Sequence, residues 1–266
     1  MLSPGTSTGT LTETSAEKSA GTSVIEVENV SKKFGDRQIL DSISMNVKHH
    51  EIVSVLGISG SGKTTLFHLI AGIMLPEDGN IKADSKIGYM MQKDLLMPWK
   101  TVIDNIALPL IIGGMNRKDS HKEVSQYLEQ FGLAGTEDYY PNMLSGGMRQ
   151  RAALLRTYLQ SGEVLLLDEP FSSVDAITRH QLHSWLLEIF NELSLSILLI
   201  THDIEEALLL SDRIYILAGN PARIALEIRL TDPRTGRFEG LSSEERNHAR
   251  EKIYSILEGE FINGNE

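Results

Sequence analysis

The sequence predicts an α/β fold, a largely parallel sheet covered by helices on both faces, fronted by a small antiparallel β subdomain and interrupted by a helical insertion. Three observations carry this. Two uniformly apolar runs, at 164–167 and 197–200, are separated by a helical stretch, the pattern of parallel strands buried on both faces. A strand, a glycine-rich loop and an apolar helix follow one another from 52 to 72. From 93 to 161 the pattern is mostly helical, broken at Pro98, Pro109, Gly113-Gly114 and Pro141.

Residues 1–23 are mostly Ser, Thr and Gly, too poor in large apolar side chains to offset the entropy of ordering, so a disordered tail is expected. It has no Arg and carries Glu13 and Glu17, which fits neither a secretory signal nor a mitochondrial presequence. Residues 24–30 alternate as a half-buried strand and 40–47 form a second, with a turn at Gly35-Asp36-Arg37. Pro76-Glu77-Asp78-Gly79 is another turn, leading to short strands at Ile81 and 87–91. After the insertion come a strand at 164–167, a helix at 176–193 and a strand at 197–200. Ser242-Ser243-Glu244-Glu245 reads as a capping box for a helix to about Leu257, a solvated helix lying on the domain. The division is a tail at 1–23, a main domain at 24–235 with its helical subdomain at about 93–161, and a C-terminal helical extension at 236–266.

With 266 residues there is enough chain for one sizeable core. A formal charge of -11 argues against nucleic-acid binding, because neutralising phosphates needs clustered Lys and Arg. The absence of cysteine excludes disulfides and thiolate metal sites. No apolar run reaches membrane-spanning length.

The chemistry begins at Gly57-Ile58-Ser59-Gly60-Ser61-Gly62-Lys63-Thr64-Thr65, a P-loop between a strand and a helix. Its glycines let successive backbone N–H groups converge on phosphate oxygens at a positive helix end. Lys63 is placed to reach the β and γ phosphates, and the Thr64 hydroxyl to ligate Mg²⁺. The strand at 164–167 ends in Asp168-Glu169, at the carboxyl edge where nucleotide sites of open α/β sheets lie. There Asp168 can hold Mg²⁺ through a water while Glu169 polarises the attacking water. Ser145-Gly146-Gly147 opens a second helix, 148–160, and so a second anion-facing N-terminus. Since one triphosphate already occupies the first, the second is expected to serve a nucleotide on another copy.

Taken together, these segments resemble an ATP-binding-cassette ATPase, and the resemblance runs from about Val24 to Arg229. It implies a P-loop NTPase (RecA-like) core, ATP and Mg²⁺, and two chains sandwiching two ATPs head to tail. Leu144-Ser145-Gly146-Gly147-Met148-Arg149-Gln150-Arg151 resembles the family signature, so Ser145, Gly146, Gly147 and Gln150 are expected to act in trans. Gln92 resembles the glutamine that links Mg²⁺ to the transmembrane-facing loop, and Asp175 the dimer-contacting aspartate. His202 resembles the switch histidine at the γ-phosphate, and Phe34 the aromatic that stacks on adenine. Departures are small: Ile58 for a frequent Pro, Thr64 for Ser, and Ser173-Val174 for Ala-Leu.

The stretch 92–106, with Leu96-Met97-Pro98-Trp99-Lys100-Thr101-Val102, is similar to bacterial importers of the nitrate/sulfonate/taurine group. That similarity implies transmembrane permease subunits as partners, an extracytoplasmic solute-binding protein indirectly, and a peripheral place on the cytoplasmic face of the membrane. An exporter subunit, or a soluble cassette that remodels nucleic acid or ribosomes, stays open as an alternative. A vitamin precursor also stays open as the solute.

Overall fold

The computed structural model of the chain describes residues 22–83, 86–234, 237 and 244–263. The predicted α/β fold is present. Strands β1 (Ser23–Phe34), β2 (Arg37–Lys48) and β4 (Asp78–Ala83) form an antiparallel sheet in the order β2-β1-β4. Both β1 and β2 are longer than their alternating cores imply, because Gly35, at φ 58, turns the chain tightly enough for Phe34 to pair with Arg37. Ser23 lies inside β1, opposite Lys48, which shortens the expected tail; residues 1–21 lie outside the described residues. Asp78 and Gly79, expected in a turn, already belong to β4.

The second sheet has the order β5-β6-β7-β3-β8-β9, built from β5 (Ile87–Met90), β6 (Val164–Asp168), β7 (Ser196–Thr201), β3 (Ile52–Leu56), β8 (Arg213–Ala218) and β9 (Arg223–Arg229). All pairs are parallel except β8 with β9. Every residue of β3, β6 and β7 is buried, as the uniformly apolar runs require. β8 and β9 were not foreseen. In β9 the signal was present, since Ile224, Leu226 and Ile228 alternate with exposed residues.

Helix α1 (Lys63–Ile70) follows the glycine loop, and its N-cap Gly62 sits at φ 89, where a Cβ would lie 2.8 Å from Leu40 Cδ2. The inserted segment carries α2 (Val102–Ile106), α3 (Leu108–Ile112), α4 (Arg117–Ser125), a 3-10 turn (Pro141–Met143) and α5 (Gly146–Ser161). Regular structure in it starts only at Val102, because residues 93–101 are organised by side chains instead. Asn105, fully buried, accepts from Met97 N at 2.6 Å and donates to the carbonyls of Met97, Lys100 and Thr101.

Helix α6 (Ala176–Glu192) crosses between β6 and β7, and α7 (Ile204–Leu210), also unforeseen, follows β7. The last helix, α8 (Glu244–Asn263), runs past the expected end at Leu257. The Ser242 and Ser243 of its expected capping box lie outside the described residues. Among the described residues no helix is long and apolar enough to cross a membrane.

Candidate active site

The parallel order places the carboxyl ends of β3, β6 and β7 side by side, and the residues that follow each strand line one cavity of about 730 Å³. From the loop after β3 and the start of α1 come Ser59, Gly60, Gly62, Lys63, Thr64 and Thr65. Asp168 and Glu169 enter from the end of β6, His202 from the end of β7, and Gln92 from just past β5. Phe34 joins them from the end of β1.

Lys63 is buried, and its Nζ donates to the carbonyls of Gly57 and Ile58 at 2.8 Å each. Burial pulls its ammonium below the usual lysine range, against the opposing pull of Glu169 and Asp168. Burial likewise raises the Asp168 carboxyl, partly offset by the Tyr89 hydroxyl, which donates to Asp168 Oδ2 at 3.2 Å.

Glu169 stands at φ 45, a left-handed conformation that costs a side chain-bearing residue about 1–2 kcal/mol. The conformation is held by Glu169 N donating to Ile200 O at 2.9 Å. Both carboxylate oxygens are engaged: His202 Nδ1 lies 3.0 Å from Oε1, and Gln92 Nε2 donates to Oε2 at 3.1 Å. The three groups are thus one constellation drawn from three strand ends.

Phe34 is 48% exposed, so it is not a core aromatic, and Lys32 Nζ lies 5.6 Å from its ring centroid. It lines the cavity beside Arg37 and Ile39, two lining residues that sequence reasoning missed. The signal for them was the hairpin itself, which sets Arg37 opposite Phe34.

Two expected P-loop residues do not line the cavity. Gly57 packs against β8, where a Cβ would lie 2.6 Å from Leu217 O, and Ser61 is buried with an Oγ that has no hydrogen-bond partner.

The signature segment does not line the cavity either. Ser145 is the N-cap of α5, its Oγ accepting from Met148 N at 3.3 Å, and Gly146 and Gly147 form the first turn. Gln150 faces inward: it is buried, and its Nε2 donates to Ser173 Oγ at 3.0 Å. Asp175 is exposed at the N-cap of α6, accepting from Ile177 N and Thr178 N.

Residues 40–172 match the family described as ABC transporter. The chain is 44% identical over 223 residues to the formylaminopyrimidine import ATP-binding protein ThiZ of Halalkalibacterium halodurans, covering 82% of this chain and 90% of that one. It is 37% identical to the nitrate import ATP-binding protein NrtD of Synechocystis sp., over 79% and 83% of the two chains. To the aliphatic sulfonates import ATP-binding protein SsuB 1 of Pseudomonas fluorescens it is 36% identical, over 82% and 83%. The fold matches a dimeric post-hydrolysis state of the ATP-binding cassette MJ0796 bound to ADP and Pi, with a TM-score of 0.67 and 28% identity over 79% of this chain and all of that one.

Proposed function

The chain belongs to the ABC transporter family, and from that premise we propose how its residues divide the work of an import ATPase. It binds and hydrolyses ATP as the energy-coupling subunit of an importer, working as a dimer beside membrane permease subunits. The observation that carries the residue roles is the convergence of Lys63, Gln92, Asp168, Glu169 and His202 on one cavity.

Lys63 leaves the carbonyls of Gly57 and Ile58 for the β and γ phosphates, where its charge is better met. Glu169 orients the attacking water and takes its proton at a carboxylate oxygen. Gln92 and His202 hold that carboxylate in line, and His202 also meets the γ-phosphate. Phe34 stacks on the adenine.

Thr64, Gln92 and Asp168 line the same cavity with a hydroxyl, an amide oxygen and a carboxylate, all hard oxygen donors that suit Mg²⁺. Bound there, Mg²⁺ supplies charge neutralisation on the transferring phosphate. The chain's own part of the electrostatic stabilisation is Lys63 and the loop N–H groups.

The N-terminus of α5 lies off this cavity, so Ser145, Gly146 and Gly147 serve the nucleotide held by a second copy in a head-to-tail sandwich. Asp175 meets that copy beside them, and Gln150 supports the 172–175 segment through Ser173. Leu95 and Trp99, 54% and 72% exposed, belong to the surface that meets the permease on the cytoplasmic face of the membrane. A solute-binding protein delivers the cargo from the other side.

The solute is a small molecule of the nitrate, sulfonate or taurine type. A formylaminopyrimidine-like solute is the second reading, favoured by 44% identity to ThiZ against 36–37% to the sulfonate and nitrate subunits. The test is ATP-dependent uptake into vesicles holding the assembled transporter, with each solute class supplied in turn. Uptake of one class that stops with Glu169→Gln supports the reading; solute export, or hydrolysis indifferent to the membrane subunits, overturns it.

A further inference from the structure

Glu205 and Glu206 are consecutive in the first turn of α7, directly after His202 and the N-cap Asp203, and two different helices take them. Glu206 is buried against α6, where its Oε1 lies 2.8 Å from His183 Nε2. Glu205 is taken by Arg250 of the C-terminal helix α8, whose Nε and Nη2 reach its two oxygens at 2.5 and 2.8 Å. The other end of α7 is held by the same C-terminal segment. Arg237, itself buried, donates through Nη1 to Ser211 O at 2.5 Å and Leu208 O at 3.3 Å, carbonyls that a helix end leaves without intrahelical partners. Along the side of α7, the buried Ala249, Ile253 and Leu257 share one apolar cluster with Ile204, Ala207 and Leu208.

A helix of seven residues does not hold its own position, so α7 stands where its neighbours put it. His202 is three residues before Glu205, less than one helical turn away. A bidentate guanidinium–carboxylate pair fixes direction as well as distance, which a single point contact does not. No described residue of α8 lines the nucleotide cavity. Tyr254, Leu257 and Glu258 instead line a separate cavity of about 670 Å³, which they share with Gly57, Ser59 and His202. The route from Arg250 to His202 runs through Glu205 and α7, alongside this second cavity.

We propose that the C-terminal helix braces the switch loop: Arg250, acting through Glu205, is a positioning residue that sets where His202 meets the γ-phosphate. The inference rests on the role given above to His202. It assigns a function to the part of the chain that lies beyond residues 40–172, the portion matched by the family. Because small displacements at a reacting centre are amplified in rate, loosening the brace slows turnover and leaves nucleotide binding, which depends on the loop after β3, in place.

The experiment is a charge reversal in the full chain, assembled with its membrane subunits. Arg250→Glu and Glu205→Arg are each expected to lower kcat by about three- to tenfold with KM for ATP within about twofold, and the double variant to recover most of the loss. Thermal melting of each variant separates this from instability; if a reversed charge prevents folding, Arg250→Gln and Glu205→Gln take its place with the same expected fall in kcat. Unchanged kcat in both single variants, or a double variant no better than the worse single one, overturns the brace. His202→Ala distinguishes the two levels: if it leaves hydrolysis intact, the role of His202 falls, whereas if it abolishes hydrolysis while Arg250→Glu is silent, only the brace falls.

Discussion

His202 Nδ1 and Glu169 Oε1 lie 3.0 Å apart, although one follows β7 and the other follows β6. With Gln92 on the second oxygen, the Glu169 carboxylate is oriented from both sides. Pre-orientation of this kind lowers what must be reorganised during the reaction.

Glu169→Gln keeps the size of the side chain and an acceptor for His202, but removes the carboxylate proposed as the base. Turnover is expected to fall by about 10²–10⁴-fold while ATP still binds, and a nucleotide-sandwiched dimer should accumulate. Size-exclusion chromatography with ATP, alongside phosphate release, checks both; hydrolysis near the unmodified rate in the assembled variant rules out the assignment.

Lys63→Ala should weaken binding and hydrolysis together, because the cation proposed to meet the β and γ phosphates is gone. ATP affinity measured by calorimetry is expected to fall by at least about tenfold. An unchanged affinity means that this lysine stays with Gly57 O and Ile58 O when nucleotide binds.

The trans site is tested by mixing. On the proposed roles, a chain with Ser145→Arg and a chain with Lys63→Ala each spoil both sites as homodimers, but in the heterodimer one composite site receives both lesions and the other none. The mixture should regain part of the ATPase rate, provided one intact site works alone. Ser145 is also the N-cap of α5, so its replacement costs about 1 kcal/mol of stability, and melting curves must accompany the assay. Full hydrolysis by the Ser145→Arg homodimer excludes the serine from the site.

Asp104 ties α2 to α4 through His121 Nε2 at 2.8 Å and a bidentate contact from Arg117. Burial works to raise its carboxyl, and the His121 and Arg117 hydrogen bonds outweigh that, so its folded-state pKa lies below the ordinary 3.8. An acid with a lowered folded pKa contributes stability above its unfolded pKa and loses it as pH falls through the folded value. Asp104→Asn should therefore cost about 1 kcal/mol at pH 7, the gap to the unmodified chain closing below about pH 4. A gap that persists at low pH assigns the loss to packing.

Much of the proposed nucleotide site was legible because its parts are local. A strand, a glycine loop and a helix in sequence position Lys63 and Thr64 whatever the rest of the chain does, and an apolar strand carries Asp168 and Glu169 to its carboxyl end. The constraint in each case is backbone geometry over about ten residues. β8 was a different case: its apolar run was present at 214–218, but nothing local said that it would lie beside β3.

What the sequence by itself determined was therefore the chemistry available, namely a lysine and a hydroxyl on a phosphate loop, two acids after a strand, and a serine at a helix start. The tertiary structure decided which of these meet. The order β5-β6-β7-β3-β8-β9 brings Gln92, Glu169 and His202 together from positions up to 110 residues apart (202 − 92), turns Gln150 inward to Ser173, and sets Tyr89 on Asp168. The packing of α8 on α7 brings Arg250 to Glu205 across 45 residues of chain. Side-chain period and turn chemistry act over a few residues, whereas these contacts depend on how strands and helices pack, and only the folded chain fixes that.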